Sequence, residues 1–399
     1  MPPLPRRELR KLVRKLGVAA RPAEQKNALA TLATLCRDAD SRSAITAAGA
    51  IPDLVVLLGP VFSTGVHQDA AGALLSLAMD DDNQVVIADA GAIPSLVQLL
   101  GPASPTDVQC NAAGALMNLA GNDGNKATVA AAGAISLLVE LPGPGSSAGV
   151  QSHAAGALMN LAVTTDNEVT IAAAGATPPL VQLLGRGSPC GVQREAAGAL
   201  TNLAANDGNK VTIAAAGAIP LLVELLMPGS SADVHCPAAG ALMNLAVNTD
   251  NMVIIAAAGA IPPLVQLLGR GFPSEVQVEA AGVLKNLAAN AENKVTIAAA
   301  GAIPPLVQLL GRGPDDVQRE AAGALRNLAV NAENAVTISA AGAVSALKKL
   351  LRSSSAVNTQ WFASQALVLL GACNDDSGAA TGTAEANAEV QEGMGVMHI

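Results

Sequence analysis

The chain has 399 residues, 51% of them apolar, yet one Trp, three Phe and no Tyr, and its net charge is −9. Its core must therefore be filled by Leu, Val, Ile and Ala, and the acidic balance disfavours nucleic acid as the main ligand. The five cysteines (Cys36, Cys110, Cys190, Cys236 and Cys373) show no Cys-x-x-Cys spacing and read as buried free thiols of a reducing compartment, not as a disulfide framework.

Residues 1–22 differ in kind from the rest. They hold Arg6, Arg7, Arg10, Lys11, Arg14, Lys15 and Arg21 against Glu8 alone. Leu9, Leu12, Val13 and Leu16 fall at helical spacing, which predicts a short amphipathic helix with a basic face. Two roles are open for it: a cap that covers an open end of the fold, or a basic arm that binds an acidic partner or folds back into the protein's own groove. A mitochondrial transit peptide fits less well, since the segment lacks serine. With this arm set apart, residues 23–399 carry a charge of −15, which favours basic or neutral peptides as partners.

From residue 23 to 373 the chain repeats itself. Gly49, Gly91, Gly133, Gly175, Gly217, Gly259 and Gly301 are 42 residues apart, and Gly342 follows after 41. The glycines of the Ala-Ala-Gly-x-Leu segments, from Gly72 to Gly323, keep the same step. One period read in two registers is the signature of a stacked repeat array.

The array opens on an incomplete unit, Glu24 to Asp38, which aligns with the third helix of the others. The unit is clearest at Ala291 to Asn331. Asn293 to Ala300 predicts a first helix, and Gly301 sits where a left-handed residue ends it. Ile303-Pro304-Pro305 opens a second, with Leu306, Val307, Leu309 and Leu310 as its apolar stripe. Gly311-Arg312-Gly313-Pro314 breaks that helix, and Asp315 and Asp316 are expected to cap a third, from Val317 to about Ala329. Such triplets cannot enclose a core alone but share one when stacked. Seven full repeats precede an eighth that ends in Gln360-Trp361-Phe362, read as a terminal cap. Residues 374–399 lack periodicity and read as a disordered tail.

The Gly-Ala-Ile-Pro-x-Leu-Val-x-Leu-Leu block at Gly259 to Leu268 and the block at Ala280 to Ala288 resemble those of armadillo-repeat proteins. The resemblance spans about residues 23–373. It implies an all-α fold: a right-handed alpha-alpha superhelix, or solenoid, of about eight three-helix repeats of 42 residues. It also implies a scaffold or adaptor for protein interactions.

One polar residue recurs within the apolar third helices: Asn118, Asn160, Asn202, Asn244, Asn286 and Asn327. A mid-helix asparagine is a poor helix former and costly to bury unpaired. Its amide can donate to and accept from an extended peptide backbone, or it can bond a neighbouring helix. Spacing leaves both readings open; the resemblance favours a peptide-binding ladder, because armadillo proteins carry their peptide-binding asparagine at this position. At about 3.3 Å per residue, six rungs would hold roughly ten to twelve residues.

Specificity is expected from neighbours on the same helical face. One residue before each Asn stand Met117, Met159, Thr201, Met243, Lys285 and Arg326. Seven before stand Asn111, His153, Glu195, Pro237, Glu279 and Glu320. The early half is thus methionine-lined, and the late half pairs acids with bases. Four after come Asn122, Thr164, Asn206, Asn248, Asn290 and Asn331, at helix ends where capping accounts for most of them. Four before, the nuclear import adaptors of the family carry tryptophan, whereas this chain has glycine from Gly114 to Gly323. These glycines are expected to leave a smooth floor for a ligand.

Nothing points to catalysis. The four histidines have no metal-site spacing, and His235-Cys236 reads as surface chemistry. The glycine-rich turns lack a phosphate-loop ending. No metal and no cofactor is expected, and the chain does not read as an enzyme. Seventeen-residue uncharged stretches such as Val295 to Gly311 are broken by glycine and proline, so stable membrane insertion is not expected either. The reading is a monomeric scaffold of the cytoplasm or nucleus that holds a protein or peptide segment in its groove. The alternatives are an import adaptor with the basic arm as autoinhibitor, or a substrate-recruiting adaptor in ubiquitin ligation.

Overall fold

The computed structural model describes residues 5–17, 20–143, 145–354 and 356–372. The tail and Cys373 lie outside the described residues. Within them all regular structure is α-helical, twenty-six helices from Arg6–Arg14 to Val357–Leu369. After Arg6–Arg14 and Pro22–Leu35 the helices fall into triplets, of which Ala291–Ala299, Ile303–Arg312 and Asp315–Leu328 are one.

The local chemistry of a triplet explains its path. Asn290 caps the first helix, its Oδ1 accepting from the backbone N–H groups of Glu292 and Asn293 at 3.0 and 3.1 Å. Five of the residues four places after the ladder asparagines are such caps of the next helix; Thr164 takes the same place without a side-chain bond. Gly301 then turns the chain at φ +80°, and the junction glycines of all the triplets lie between +79° and +84°. An L side chain is strained there, which is why glycine marks each junction. The second helix leaves the first at 82° in this triplet, and at 85° and 87° in two others. Its prolines sit in the first turn, where a missing N–H costs nothing. Asp315 and Asp316 do not cap the third helix: Pro314 holds the N-cap position, and the two aspartates lie in the first turn, where the helix dipole favours negative charge.

Packing is heaviest between successive third helices. Leu74, Leu116, Leu158, Leu200, Leu242, Leu284 and Leu325, one on each third helix but the last, are fully buried, as are the alanines around them. Small side chains let these helices stack closely, so one core runs the length of the array. At its start Leu9, Val13 and Leu16 are buried, and their helix packs on Ala39–Ala47 and Pro22–Leu35. Arg7, Arg10, Lys11, Arg14 and Lys15 of that segment face solvent.

Candidate functional site: the third-helix face

The six asparagines share one geometry. Asn118 Nδ2 donates to the Leu75 carbonyl at 3.1 Å, Asn160 to Met117 at 2.9 Å and Asn202 to Met159 at 2.8 Å. Asn244, Asn286 and Asn327 do the same to Thr201, Met243 and Lys285 at 2.9, 2.9 and 2.8 Å. Each acceptor lies on the preceding third helix, next to that helix's own ladder position. The bond to a neighbouring helix therefore exists at every rung. It uses one amide hydrogen and leaves the rest of the group. All six residues are half-buried. No described hydrogen bond ends on Oδ1 of the first five, while Asn327 Oδ1 accepts from Arg326 Nη1 at 2.9 Å.

A second row, which sequence reasoning missed, shows what a purely structural asparagine looks like here. Asn125, Asn167, Asn251, Asn293 and Asn334, seven residues after the ladder positions, are 3–7% exposed. Asn125 Nδ2 reaches both Leu119 O and Gln84 O, and Asn251 both Leu245 O and Lys210 O. Asn167 bonds only the preceding third helix, through Leu161 O, and Asn293 and Asn334 only the preceding repeat, through Met252 O and Lys294 O, so the row ties first helices to what precedes them in one or both ways. Its 42-residue spacing was equally visible, but sequence does not distinguish a buried rung from a half-exposed one.

The glycines four before each asparagine are not an open floor. A Cβ built on Gly198 would lie 2.5 Å from Met159 Sδ, and one on Gly240 3.2 Å from Thr201 Cγ2 and 3.4 Å from Glu279 Oε2. Gly114 is covered by His153 and Leu75, and Gly323 by Lys285 and Phe362. The residue one before the asparagine thus reaches forward over the next repeat's glycine. The residue seven before reaches back over the preceding one. Glycine serves here as the space into which side chains of the neighbouring repeats fold.

The charged members are arranged unevenly. Glu195 is held by Arg194, and Pro237 breaks the acidic row. Glu320 is 5% exposed and faces Arg319 Nε at 2.9 Å and Lys285 Nζ at 2.7 Å. Among the described residues Glu279 meets no hydrogen-bond or ion-pair partner, and its Oε2 is buried. Burial, with Glu320 next to it, pushes its carboxyl pKa up to about 7. His153 Nδ1 lies 2.9 Å from Cys110 O, and Asn111 Nδ2 donates to Gln68 O at 2.9 Å. At the far end the Arg326 guanidinium lies 5.5 Å from the centre of the Trp361 ring. Trp361 is 47% exposed, so it does not close the core as a cap would; Phe362, beside it, does the covering.

Two further expectations change. His235 is no surface residue: it is 8% exposed, both ring nitrogens are buried without a partner, and its ring meets Phe272 edge-on at 5.8 Å. At this position Gln109, Gln193 and Gln277 hold the end of the second helix, Gln193 through Leu184 O and Gly185 O, and His67 meets Gly59 O at 2.9 Å in the first triplet, whereas His235 makes no such bond. Cys36 is buried, but Cys190 is exposed, and Cys110 and Cys236 are intermediate. Among the described residues no cluster of His, Cys, Asp or Glu could hold a metal ion, and no single helix is long and apolar enough to cross a membrane.

Stacked helix triplets with a continuous face of third helices define a repeat solenoid. The model of the Armadillo/beta-catenin-like repeat matches residues 80–121, 164–205, 206–247, 248–289 and 290–330, just over half of the chain. The protein belongs to the armadillo-repeat family. It is similar to the crystal structure of an engineered protein from the Northeast Structural Genomics Consortium, at 33% identity over 91% of this chain and 99% of that one, with a TM-score of 0.67. A second engineered protein from the same consortium is 36% identical over 60% of this chain and 99% of that one, with a TM-score of 0.55. A designed armadillo repeat protein is 34% identical over 59% and 99%, with a TM-score of 0.54. No match is found among curated protein sequences.

Proposed function

We propose that the protein is an interaction scaffold whose third-helix face, the concave face of an armadillo array, holds an extended segment of a partner protein. The observation that carries this reading is the row from Asn118 to Asn286. Each amide is fixed by one bond to the preceding helix, half-exposed, and left with a free acceptor and a second hydrogen. A fixed amide that still has one donor and one acceptor matches the needs of a peptide backbone without reading its side chains. The bond to the neighbour supports this role, because it sets the orientation of the group before the ligand arrives. Five rungs correspond to about ten residues of extended chain. Met117, Met159 and Met243 give adaptable apolar contacts, while Glu195, Glu279 and Glu320 add acidic character.

The test is affinity selection of a random peptide library on the intact protein and on a variant with Asn160, Asn202, Asn244 and Asn286 changed to Ala. Extended peptides of about ten residues should be enriched on the first and lost on the second, with the variant's helical circular dichroism retained. Equal selection by both proteins would remove the asparagines from the binding site.

A further inference from the structure

The far end of this face differs in charge from the rest. Residues 43–284 hold five Lys and Arg against eighteen Asp and Glu, whereas residues 285–352 hold eight against five. Within this basic stretch Lys285 and Arg319 are both spent on Glu320. Arg326 reaches no carboxylate among the described residues. Its Nη1 donates to Asn327 Oδ1 at 2.9 Å, its Nε–H is buried without an acceptor, and its Cζ lies over the Trp361 ring, 5.5 Å from the centre. Burial pushes its pKa down, and that of Lys294 is lowered by burial and, to a smaller extent, by the Arg326 charge. A guanidinium keeps its proton at any ordinary pH, so a half-buried one without a counter-ion is an incomplete pair.

Resting on the peptide-groove reading above, we infer that Arg326 and Trp361 form an anion subsite at the end of the groove, which takes a carboxylate of the bound partner segment. The cation–π contact with the indole and the bond to Asn327 hold the guanidinium in place, and a planar fork of N–H donors suits a carboxylate. Asn327 differs from the other rungs, because Arg326 already takes up one of the two acceptor sites of its Oδ1. Asn286 is the last rung whose acceptor is wholly free, and beside the next one the ligand meets an ionic contact. The carboxylate comes from an Asp or Glu side chain or from the C terminus of the bound chain.

The experiment selects twelve-residue peptides from two libraries, one with free and one with amidated C termini, on the full chain and on Arg326→Gln. With the side-chain source, both libraries converge on Asp or Glu at one fixed position; with the terminal source, only the free library is enriched. In either case Arg326→Gln should lower the preference on the order of tenfold while the rest of the selected pattern stays. Trp361 is the only tryptophan of the chain, so its emission reports the same site in the unaltered protein. An acidic peptide should shift it at lower concentration than its Asn, Gln or amide counterpart. Peptides selected without any acidic or free-terminus preference, or with a preference that survives Arg326→Gln, overturn the subsite and leave the groove reading standing. No selected peptide at all overturns both.

Discussion

Asn202 Nδ2 donates to the backbone carbonyl of Met159 at 2.8 Å, and the thioether of the same Met159 lies over Gly198. One residue of a third helix thus serves the next repeat twice, holding its ladder amide and filling its glycine gap. On the proposed function, stability and binding are coupled at such a rung. Asn202→Ala should lose about 1 kcal/mol of stability in chemical denaturation through the bond to Met159. It should also weaken a selected peptide about tenfold by calorimetry, through the amide atoms left for the ligand. A variant that loses stability but binds unchanged would assign the residue to the stack alone.

The glycines predict a difference within one row. At Gly198 a new methyl meets only the flexible thioether of Met159, which can swing aside, and alanine is the better helix former by about 0.5–1 kcal/mol. Gly198→Ala should therefore change stability by less than about 1 kcal/mol while it alters which peptides are selected. At Gly114 the methyl would lie 2.8 Å from His153 Nδ1 and 2.9 Å from Leu75 Cδ1, and His153 is tied to Cys110 O. Gly114→Ala should cost about 1–3 kcal/mol as an overpacked site. Thermal melts of the two variants side by side decide it.

Glu279 predicts a loss of stability with rising pH. Its folded pKa is about 7, above the ordinary 4.5, so between those values the folded protein keeps a proton that the unfolded chain releases. Stability then falls as pH rises from about 4.5 through about 7, by at most about 3 kcal/mol. Glu279→Gln, which stays neutral, should melt higher than the parent at pH 8 and match it more closely near pH 5.

His235 predicts the opposite slope. Burial lowers its pKa below the ordinary 6.5, so at low pH the unfolded chain binds a proton that the folded one refuses. The stability it supports is present above about pH 6.5 and is lost as pH falls below it. His235→Gln should flatten this acid limb. It should also gain about 1 kcal/mol, since glutamine at this position elsewhere holds the second-helix carbonyls. Melts of the single variant from pH 5 to 8 separate its slope from that of Glu279.

The period of 42, the junction glycines, the prolines and the caps were legible in the amino-acid order because each acts within a few residues. A glycine at φ +80° or a proline in a first turn needs no distant partner, so triplets, break points and stacking followed from sequence alone. The row of six asparagines was legible as a row. Its bonds were not, because each joins groups 42 or 43 residues apart, and only the stacking register says which carbonyl faces which amide. The glycines were misread for the same reason: the side chains that fill them belong to the repeats before and after. The tertiary structure alone decided that Glu279 lacks a partner while Glu320 has two, that His235 is buried, and that Arg326 lies against Trp361 with its one bond on Asn327. Periodicity determines what each repeat presents to its neighbours. Which group is met there depends on close packing between helices that the local sequence does not describe.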